Sequence, residues 1–221
     1  MLPLTLDTPK PLQLVGGAPL LRHLMDVFAR QGWCEFVLAA GHLGNRVADF
    51  VTTLPLSWEV HVIQGGEAAS TAERIRGCLP FVDERCIVTY GDGIGDIDLE
   101  TLVRTHTVHK RLATVTVVPM RSQFGIVRVA KAQRVLSFQQ KPVIRNLWIN
   151  AGFIVLEQAA LRRSYMDFEG VLLTELAAEG QLTAHRHLGY WKAVDTVADL
   201  EAMNDDIRQG RVPWLTTAAS S

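Results

Sequence analysis

The sequence has little of several features that mark particular classes of protein. Its three cysteines, Cys34, Cys78 and Cys86, are an odd number without metal-ligand spacing, so we expect reduced core residues rather than disulfides or a zinc site. No apolar run is long enough to span a bilayer, and the N-terminus lacks a basic and then apolar secretory signal. A net charge of −1 gives no electrostatic footprint for nucleic acid. We therefore predict a cytoplasmic protein with neither nucleic-acid nor membrane partners.

The composition that remains is typical of one globular unit. With 221 residues, 48% hydrophobic and 20% charged, the chain can bury a substantial core, and we predict a single domain over residues 1–221. Helical spacing predicts helices over 20–28, 71–79, 98–110, 172–179 and 196–209, and strands are predicted over 36–40, 58–62, 86–90, 113–118, 125–129, 135–139 and 148–156. This alternation predicts an α/β fold, a parallel sheet covered on both faces with a mixed extension in the second half.

Two carboxylates follow apolar strands in this pattern. Asp92 stands between two glycines after the strand at 86–90, and Asp195 follows the apolar Ala193-Val194. Ligands of open α/β sheets bind at the carboxyl ends of strands, and two carboxylates there can share one Mg²⁺ whose other positions take water and phosphate oxygens. The alternative is that each carboxylate caps a following helix.

Two lysines stand beside prolines, which fix the backbone around them. Lys10 lies in Pro9-Lys10-Pro11, and Lys141 precedes Pro142. A lysine held on a stiffened loop suits contact with a phosphate, although either residue taken alone could be an ordinary surface lysine.

The order of these motifs along the chain resembles one family. Pro-Lys-Pro, Tyr-Gly-Asp-Gly, Phe-Gly, Phe-Gln-Gln-Lys-Pro, Ile-Asn-Ala-Gly-Phe and Val-Asp-Thr occur in the order of the sugar-1-phosphate nucleotidyltransferases, from about Pro9 to Trp214. Residues 89–93, Thr-Tyr-Gly-Asp-Gly, and residues 210–214 most resemble the glucose-1-phosphate cytidylyltransferases. The resemblance implies a Rossmann-like three-layer sandwich of the nucleotide-diphospho-sugar transferase type with a mostly parallel mixed sheet.

The resemblance also implies an activity and roles for residues. The family transfers a nucleotidyl group from a nucleoside triphosphate, here CTP by preference, to a sugar 1-phosphate with release of pyrophosphate, and its members are homo-oligomers. Asp92 and Asp195 would hold Mg²⁺, while Lys10 and Lys141 would stabilise the nucleotide and sugar phosphates. The other matches are Thr71, Tyr90 and Gly91 on the nucleotide side, and Gly125, Asn150 and Glu169 around the sugar.

Departures from the family pattern concentrate on the nucleotide side. The family's opening strand and Gly-Gly-x-Gly-Thr-Arg loop have no counterpart, and we expect either that residues 2–6 supply a replacement strand or that Met1 is not the native start. Thr71-Ala72-Glu73-Arg74 stands where cytidylyltransferases have Thr-Gly-Gly-Arg, which would set a β-carbon and an acid against the ligand.

Three functional readings follow. The first is a cytidylyltransferase-like enzyme, and the second is a non-catalytic relative that binds a sugar phosphate or sugar nucleotide. The third is a glycosyltransferase in which Asp96 and Asp98 form an Asp-x-Asp metal motif. His185 and His187 alternate on a predicted strand, but with no third ligand nearby we read them as ordinary surface or pocket histidines.

Overall fold

The computed structural model describes residues 7–66, 69–163 and 165–216. The strand predicted over residues 2–6 lies outside this part of the chain. The helices are α1 Leu20–Ala29, α2 Gly44–Val51, α3 Thr71–Gly77, α4 Leu99–His109, α5 Gln158–Leu161, α6 Thr174–Ala178, α7 Val197–Arg208 and α8 Pro213–Thr216. The strands are β1 Leu14–Val15, β2 Ala18–Pro19, β3 Glu35–Ala40, β4 Glu59–Gln64, β5 Arg85–Val88, β6 Gly93–Gly95, β7 Ala113–Arg121, β8 Ile126–Val129, β9 Val135–Gln139, β10 Val143–Glu157, β11 Leu182–Arg186 and β12 Trp191–Ala193.

The largest sheet has four strands in the order β11, β7, β10 and β5. β11 is parallel to β7, and β10 is antiparallel to both β7 and β5. Three of the four strands therefore run in one direction, and the long β10 runs against them. A second, parallel pair is formed by β3 and β4. These pairings confirm the predicted mixed α/β sheet.

Helices cover both faces of the sheet, as the alternation along β10 shows. Ile154 and Leu156 belong to a buried cluster that includes residues of α3, α5 and α6. Phe153 and Val155 point to the opposite face and join a cluster with residues of α1, α2 and α4. Successive side chains of a strand face opposite sides, so β10 is the middle layer of a three-layer sandwich.

A third apolar cluster lies beside the sheet and supports the segments that carry the candidate site. It joins Ile94 of β6 and Val194 after β12 to Met203 of α7, all fully buried. Trp214 of α8 and Val15 of β1 complete its centre. This cluster ties the C-terminal helices to the two short strands that flank Asp92 and Asp195.

Local sequence signals explain most helix boundaries. Asp98 caps α4 by accepting a hydrogen bond from the Thr101 backbone N–H, and Thr196 caps α7 in a capping box with Asp199. α1 ends at Ala29, one residue beyond the predicted end, and Gly32, with φ of +87°, follows shortly after it. The predicted helix at 172–179 begins earlier than expected, because a π-helical turn over Phe168–Leu173 precedes α6.

No helix in the described residues is long and apolar enough to cross a membrane.

Candidate active site

The pairing of β6 with β12 brings the two predicted metal carboxylates to one place. The strands are antiparallel with Ala193 opposite Gly93, and the Val194 N–H donates to the Asp92 carbonyl at 2.8 Å. Asp92 and Asp195 therefore lie beside each other although more than a hundred residues separate them in sequence. Neither caps a helix: Asp92 leads into β6, and Thr196 caps α7.

Lys10 lies between these carboxylates. Its Nζ donates to Asp92 Oδ2 at 2.8 Å and to Asp195 Oδ1 at 2.6 Å. Partial burial lowers the pKa of the Lys10 ammonium, but hydrogen bonds to Asp195 and Asp92 and the charges of both carboxylates outweigh it, so the pKa is raised. The side chains remain 26%, 35% and 68% exposed for Lys10, Asp92 and Asp195, so an incoming ligand can reach all three.

Lys10 reaches this position because a rigid turn packs on a glycine. Lys10 opens a 3₁₀ turn with Pro11 and Leu12. A β-carbon on Gly91 would lie only 2.9 Å from Cγ of Pro11, so the turn can approach the Asp92 loop only where residue 91 has no side chain. The Pro-Lys-Pro and Gly-Asp-Gly motifs therefore pack against each other and bring Lys10 to Asp92.

The donor set fits a hard divalent cation. Two carboxylates that already face one cationic atom at hydrogen-bond distance are the oxygen ligands that Mg²⁺ takes, with its remaining positions left to water and phosphate. No group of three or more His, Cys, Asp or Glu side chains that could hold a metal occurs among the described residues. Two carboxylates alone would leave most coordination positions of such an ion to water and phosphate oxygens.

A second group of predicted residues meets around Tyr90. The Tyr90 hydroxyl donates to Glu169 Oε1 at the start of the π-helical turn. Burial, then the hydrogen bond and charge of Glu169, raise the pKa of Tyr90 well above its usual value, against an opposing hydrogen bond from Asn150. Tyr90 is therefore a neutral donor. Its side chain contacts Asn150 and Glu169, the residues expected on the sugar side. The family resemblance had instead suggested a place for Tyr90 on the nucleotide side.

Gly152 allows this ring to lie where it does. Its φ is +80°, and a β-carbon there would lie 2.4 Å from Cδ2 of Tyr90. Its N–H donates to Asn150 Oδ1 at 2.8 Å. Trp191 of β12 braces the same loop by donating from Nε1 to the Ala151 carbonyl at 2.8 Å. Trp191 thereby links the Tyr90 group to the strand that leads to Asp195.

Gly125 and Lys141 lie on the segment that contains β8 and β9. A β-carbon on Gly125 would lie 2.7 Å from Cζ of Phe138, so the ring covers this glycine. Lys141 has φ of +46° and is exposed. Within the described residues no hydrogen bond or ion pair joins Lys141 to Asp92, Asp195 or Lys10.

Thr71 lies at the first turn of α3, where the sequence departs from the cytidylyltransferase pattern. Ala72 is fully buried in the core, so its β-carbon faces the protein interior rather than a ligand. Glu73 forms a capping box with Ser70, and these hydrogen bonds lower the pKa of its carboxyl. Both departures therefore have structural roles in this helix.

Arg74 is a further candidate for a ligand-binding residue, and the sequence analysis did not single it out. β-carbons on Gly41 and Gly65 would lie 2.3 Å and 2.8 Å from its Cζ and Cγ, so its side chain crosses the turns that follow β3 and β4. Its Nε is buried and has no hydrogen-bond partner among the described residues. These turns follow the carboxyl ends of two parallel strands, where α/β proteins bind ligands. The only sequence signal was its place in the Thr-Ala-Glu-Arg segment.

The remaining polar candidates have structural partners. Asp98 caps α4, and Asp96 pairs with His187 at 3.0 Å, so neither side chain of the Asp-x-Asp sequence points to a shared metal. His185 Nδ1 lies 3.1 Å from Thr105 Oγ1, and burial is the largest of the effects that lower its pKa.

The sequence was compared with protein families and with individual known proteins. Residues 1–210 match the model of the family described as nucleotidyl transferase. The chain belongs to this family. It is 28% identical over 239 residues to the glucose-1-phosphate cytidylyltransferase of Salmonella typhimurium strain LT2, with 96% of this chain and 93% of that protein covered. It is 32% identical over 236 residues to a probable glucose-1-phosphate cytidylyltransferase of Bacillus subtilis strain 168, with 95% and 92% covered.

A solved structure shows the same fold in this nucleotidyl transferase. HddC from Yersinia pseudotuberculosis superposes with a TM-score of 0.73 over 91% of each chain, at 19% sequence identity. The similarity extends over nearly the whole length of both proteins and agrees with the three-layer arrangement described above.

Proposed function

We propose that this nucleotidyl transferase transfers a cytidylyl group from CTP to a sugar 1-phosphate, with glucose 1-phosphate as the first candidate. A phosphate oxygen of the sugar attacks the α-phosphorus of CTP and forms a new P–O bond. The bond from the α-phosphorus to the oxygen bridging to the β-phosphorus breaks, and pyrophosphate leaves with that oxygen. Support for CTP comes from the two cytidylyltransferase relatives, which match over almost the whole chain.

The observation that carries the proposal is the contact of Lys10 with both Asp92 and Asp195. Phosphoryl-type transfer between two anions needs positioning and neutralisation of charge more than covalent chemistry. Asp92 and Asp195 would hold Mg²⁺, which when bound would neutralise charge on the triphosphate and fix its α-phosphate. Lys10, which contacts both carboxylates in this structure, would stabilise the charge of the phosphates.

The Tyr90 group supplies the sugar side. Tyr90 is a neutral donor held by Glu169, and Asn150 lies beside it on β10. A hydroxyl donor, an amide and a carboxylate together offer both donors and acceptors to sugar hydroxyls. Trp191 keeps this group fixed relative to Asp195, so the attacking sugar phosphate would meet the nucleotide at a set position.

Four further residues have roles in the proposed reaction. Lys141 would grip the sugar phosphate. Gly125 would give the sugar close access to the backbone, Thr71 would contact the nucleotide, and Gly91 keeps Lys10 in place by admitting Pro11.

Pyrophosphate release tests the proposal. The purified protein is incubated with Mg²⁺, glucose 1-phosphate and each of CTP, UTP, GTP, ATP and dTTP in turn. We expect release that requires the sugar phosphate, is fastest with CTP and is lost in Asp92→Ala without loss of folding. Release that occurs with one of the other triphosphates but not with CTP would overturn the choice of base. Binding of glucose 1-phosphate or CDP-glucose without any release would instead identify a non-catalytic relative.

A further inference from the structure

One exposed arginine lies over an aromatic ring at the edge of the main sheet. Arg186 is the last residue of β11, and its guanidinium carbon lies 5.1 Å from the ring centroid of Trp148 on β10. This is the geometry of a cation–π contact. Within the described residues Arg186 forms no ion pair, and its guanidinium donates no hydrogen bond. The ring therefore holds the guanidinium in place while its N–H groups remain available to a ligand.

The register of the sheet aligns Arg186 with the proposed sugar side of the site. Arg186 lies opposite Val117 of β7, and Val117 lies opposite Asn150 of β10. Residues opposite each other on paired strands face the same side of a sheet, so these three side chains share one face. Neighbouring strands lie about 4.8 Å apart, which separates the Cα atoms of Arg186 and Asn150 by roughly 10 Å. Because Trp148 lies two residues before Asn150 on the same face, the contact with its ring directs Arg186 towards β10.

The other side of Asn150 leads to the proposed metal carboxylates. β5 pairs with β10 on the side away from β7, and the segment after β5 carries Tyr90 and then Asp92. Tyr90 contacts both Asn150 and Glu169. The carboxyl ends of β5, β7 and β11 lie at the same edge of the sheet, because these strands run in one direction. Along this edge the order is therefore Asp92 with Tyr90, then Asn150, then Arg186.

We propose that Arg186 binds a second anionic group of the sugar substrate, a carboxylate or a phosphate carried on carbon 6. This inference rests on the proposed function and narrows its substrate to acidic sugar 1-phosphates. With the 1-phosphate beside Asp92 and the sugar ring beside Tyr90 and Asn150, the exocyclic carbon extends along the edge towards Arg186. A guanidinium forms paired hydrogen bonds with either anion, and stacking on Trp148 orients its plane. Glucose 1-phosphate lacks such a group, so it is a weaker ligand than its acidic counterparts.

The test compares the affinities of three sugar phosphates that differ only at carbon 6. Glucose 1-phosphate, glucuronic acid 1-phosphate and glucose 1,6-bisphosphate are each titrated into the full chain by calorimetry. We expect one acidic probe to bind at least about tenfold more tightly than glucose 1-phosphate, and the preferred probe identifies the anion as carboxylate or phosphate. In Arg186→Gln this ratio of affinities should fall at least about fivefold, whereas Arg186→Lys, which keeps the charge, should retain part of it. Arg104→Gln is the matched control, since Arg104 is an exposed arginine of α4, which covers the opposite face of the sheet, and it should keep the wild-type ratio.

Three results would overturn this inference. Equal affinities for the three probes, or no binding of any of them, would show that no anion on carbon 6 is recognised. A preference that persists unchanged in Arg186→Gln would show that another cation provides it. Since these affinities do not depend on turnover, the two proposals can fail separately. Pyrophosphate release from CTP without discrimination among the probes would refute the role of Arg186 alone, and discrimination without release would refute the proposed activity alone.

Discussion

At the scale of single residues, Lys10 is the group whose position most constrains the chemistry. Its ammonium contacts both of the carboxylates proposed to hold Mg²⁺, so the lysine and a metal ion would compete for the same oxygens. On the proposed function, nucleotide binding would resolve this competition, because the triphosphate would offer Lys10 a new anionic partner. Metal and nucleotide are therefore expected to bind together better than either does alone.

Replacing Lys10 tests this competition. In Lys10→Met the two carboxylates lose their counter-ion, and we expect Mn²⁺, used as a probe for Mg²⁺, to bind the nucleotide-free protein about fivefold more tightly, equivalent to ~1 kcal/mol. Nucleotidyl transfer should fall at the same time. Calorimetry and the Mn²⁺ paramagnetic resonance signal measure the affinity directly. Lys131→Met, which removes an exposed lysine between β8 and β9, is the control, and equal Mn²⁺ affinity in all three proteins would contradict the account.

Gly152 offers a second residue-scale prediction. Gly152→Ala is expected to lower the free energy of unfolding by about 2–4 kcal/mol, because positive φ is strained for alanine and the new methyl group displaces the Tyr90 ring. Gly180→Ala separates these two effects, since Gly180 has φ of +66° with no atom within 4 Å of the added β-carbon. It should cost only about 1–2 kcal/mol. Urea denaturation of both variants measures the difference, and equal losses would show that Tyr90 does not pack on Gly152.

At the scale of secondary-structure elements, Asp206 of α7 holds β12 in place. Asp206 Oδ2 accepts from Tyr190 Oη and Lys192 Nζ, both at 2.7 Å, and Oδ1 accepts from Arg211 Nε at 3.0 Å. Burial raises the pKa of the Asp206 carboxyl, but its hydrogen bonds to Lys192, Tyr190 and Arg211 outweigh that effect and hold the pKa well below its usual value. The helix thereby fixes the strand that carries Asp195 into the site.

This network gives a prediction with a definite pH dependence. Asp206→Asn leaves two cations without their carboxylate, so we expect a loss of about 2–4 kcal/mol in the free energy of unfolding at pH 7. A depressed pKa contributes stability above the unfolded value near 3.8, and that contribution is lost as the pH falls through the folded pKa. The gap between the variant and the wild type should therefore begin to narrow below about pH 4 and close only as the pH approaches the folded pKa. Asp205→Asn is the control, because the Asp205 side chain is half exposed and pairs only within the same helix, with Arg208, and it should change little. A pH-independent gap for Asp206→Asn would contradict the assignment.

Element-level prediction from the sequence succeeded where the signals are local. The helix predicted over 98–110 is observed as Leu99–His109 because Asp98 supplies a cap. β10 was predicted to begin at Trp148 but begins at Val143. Register shifts interrupt its pairing with β7, and the sequence has no local pattern that predicts them. The contact of Tyr90 with Glu169 joins residues 79 apart, so the sequence offered no local signal for it.

At the scale of the whole molecule, the order of motifs predicted both the family and the fold. Asp92 and Asp195 were expected together because both follow strands, and the structure shows the pairing of β6 and β12 that brings them there. Lys10 was expected near phosphate, but its place between the carboxylates depends on Pro11 packing against Gly91, a tertiary contact beyond the reach of spacing.

Identification of the product tests the central claim most directly. Phosphorus NMR of a mixture of protein, Mg²⁺, CTP and glucose 1-phosphate follows both substrates and both products in one sample. The account predicts that the two coupled signals of a nucleoside diphosphate sugar rise together with pyrophosphate in equal amounts, and that neither rises with Asp92→Ala. Unchanged CTP and glucose 1-phosphate signals after prolonged incubation, with a folded protein, would contradict it.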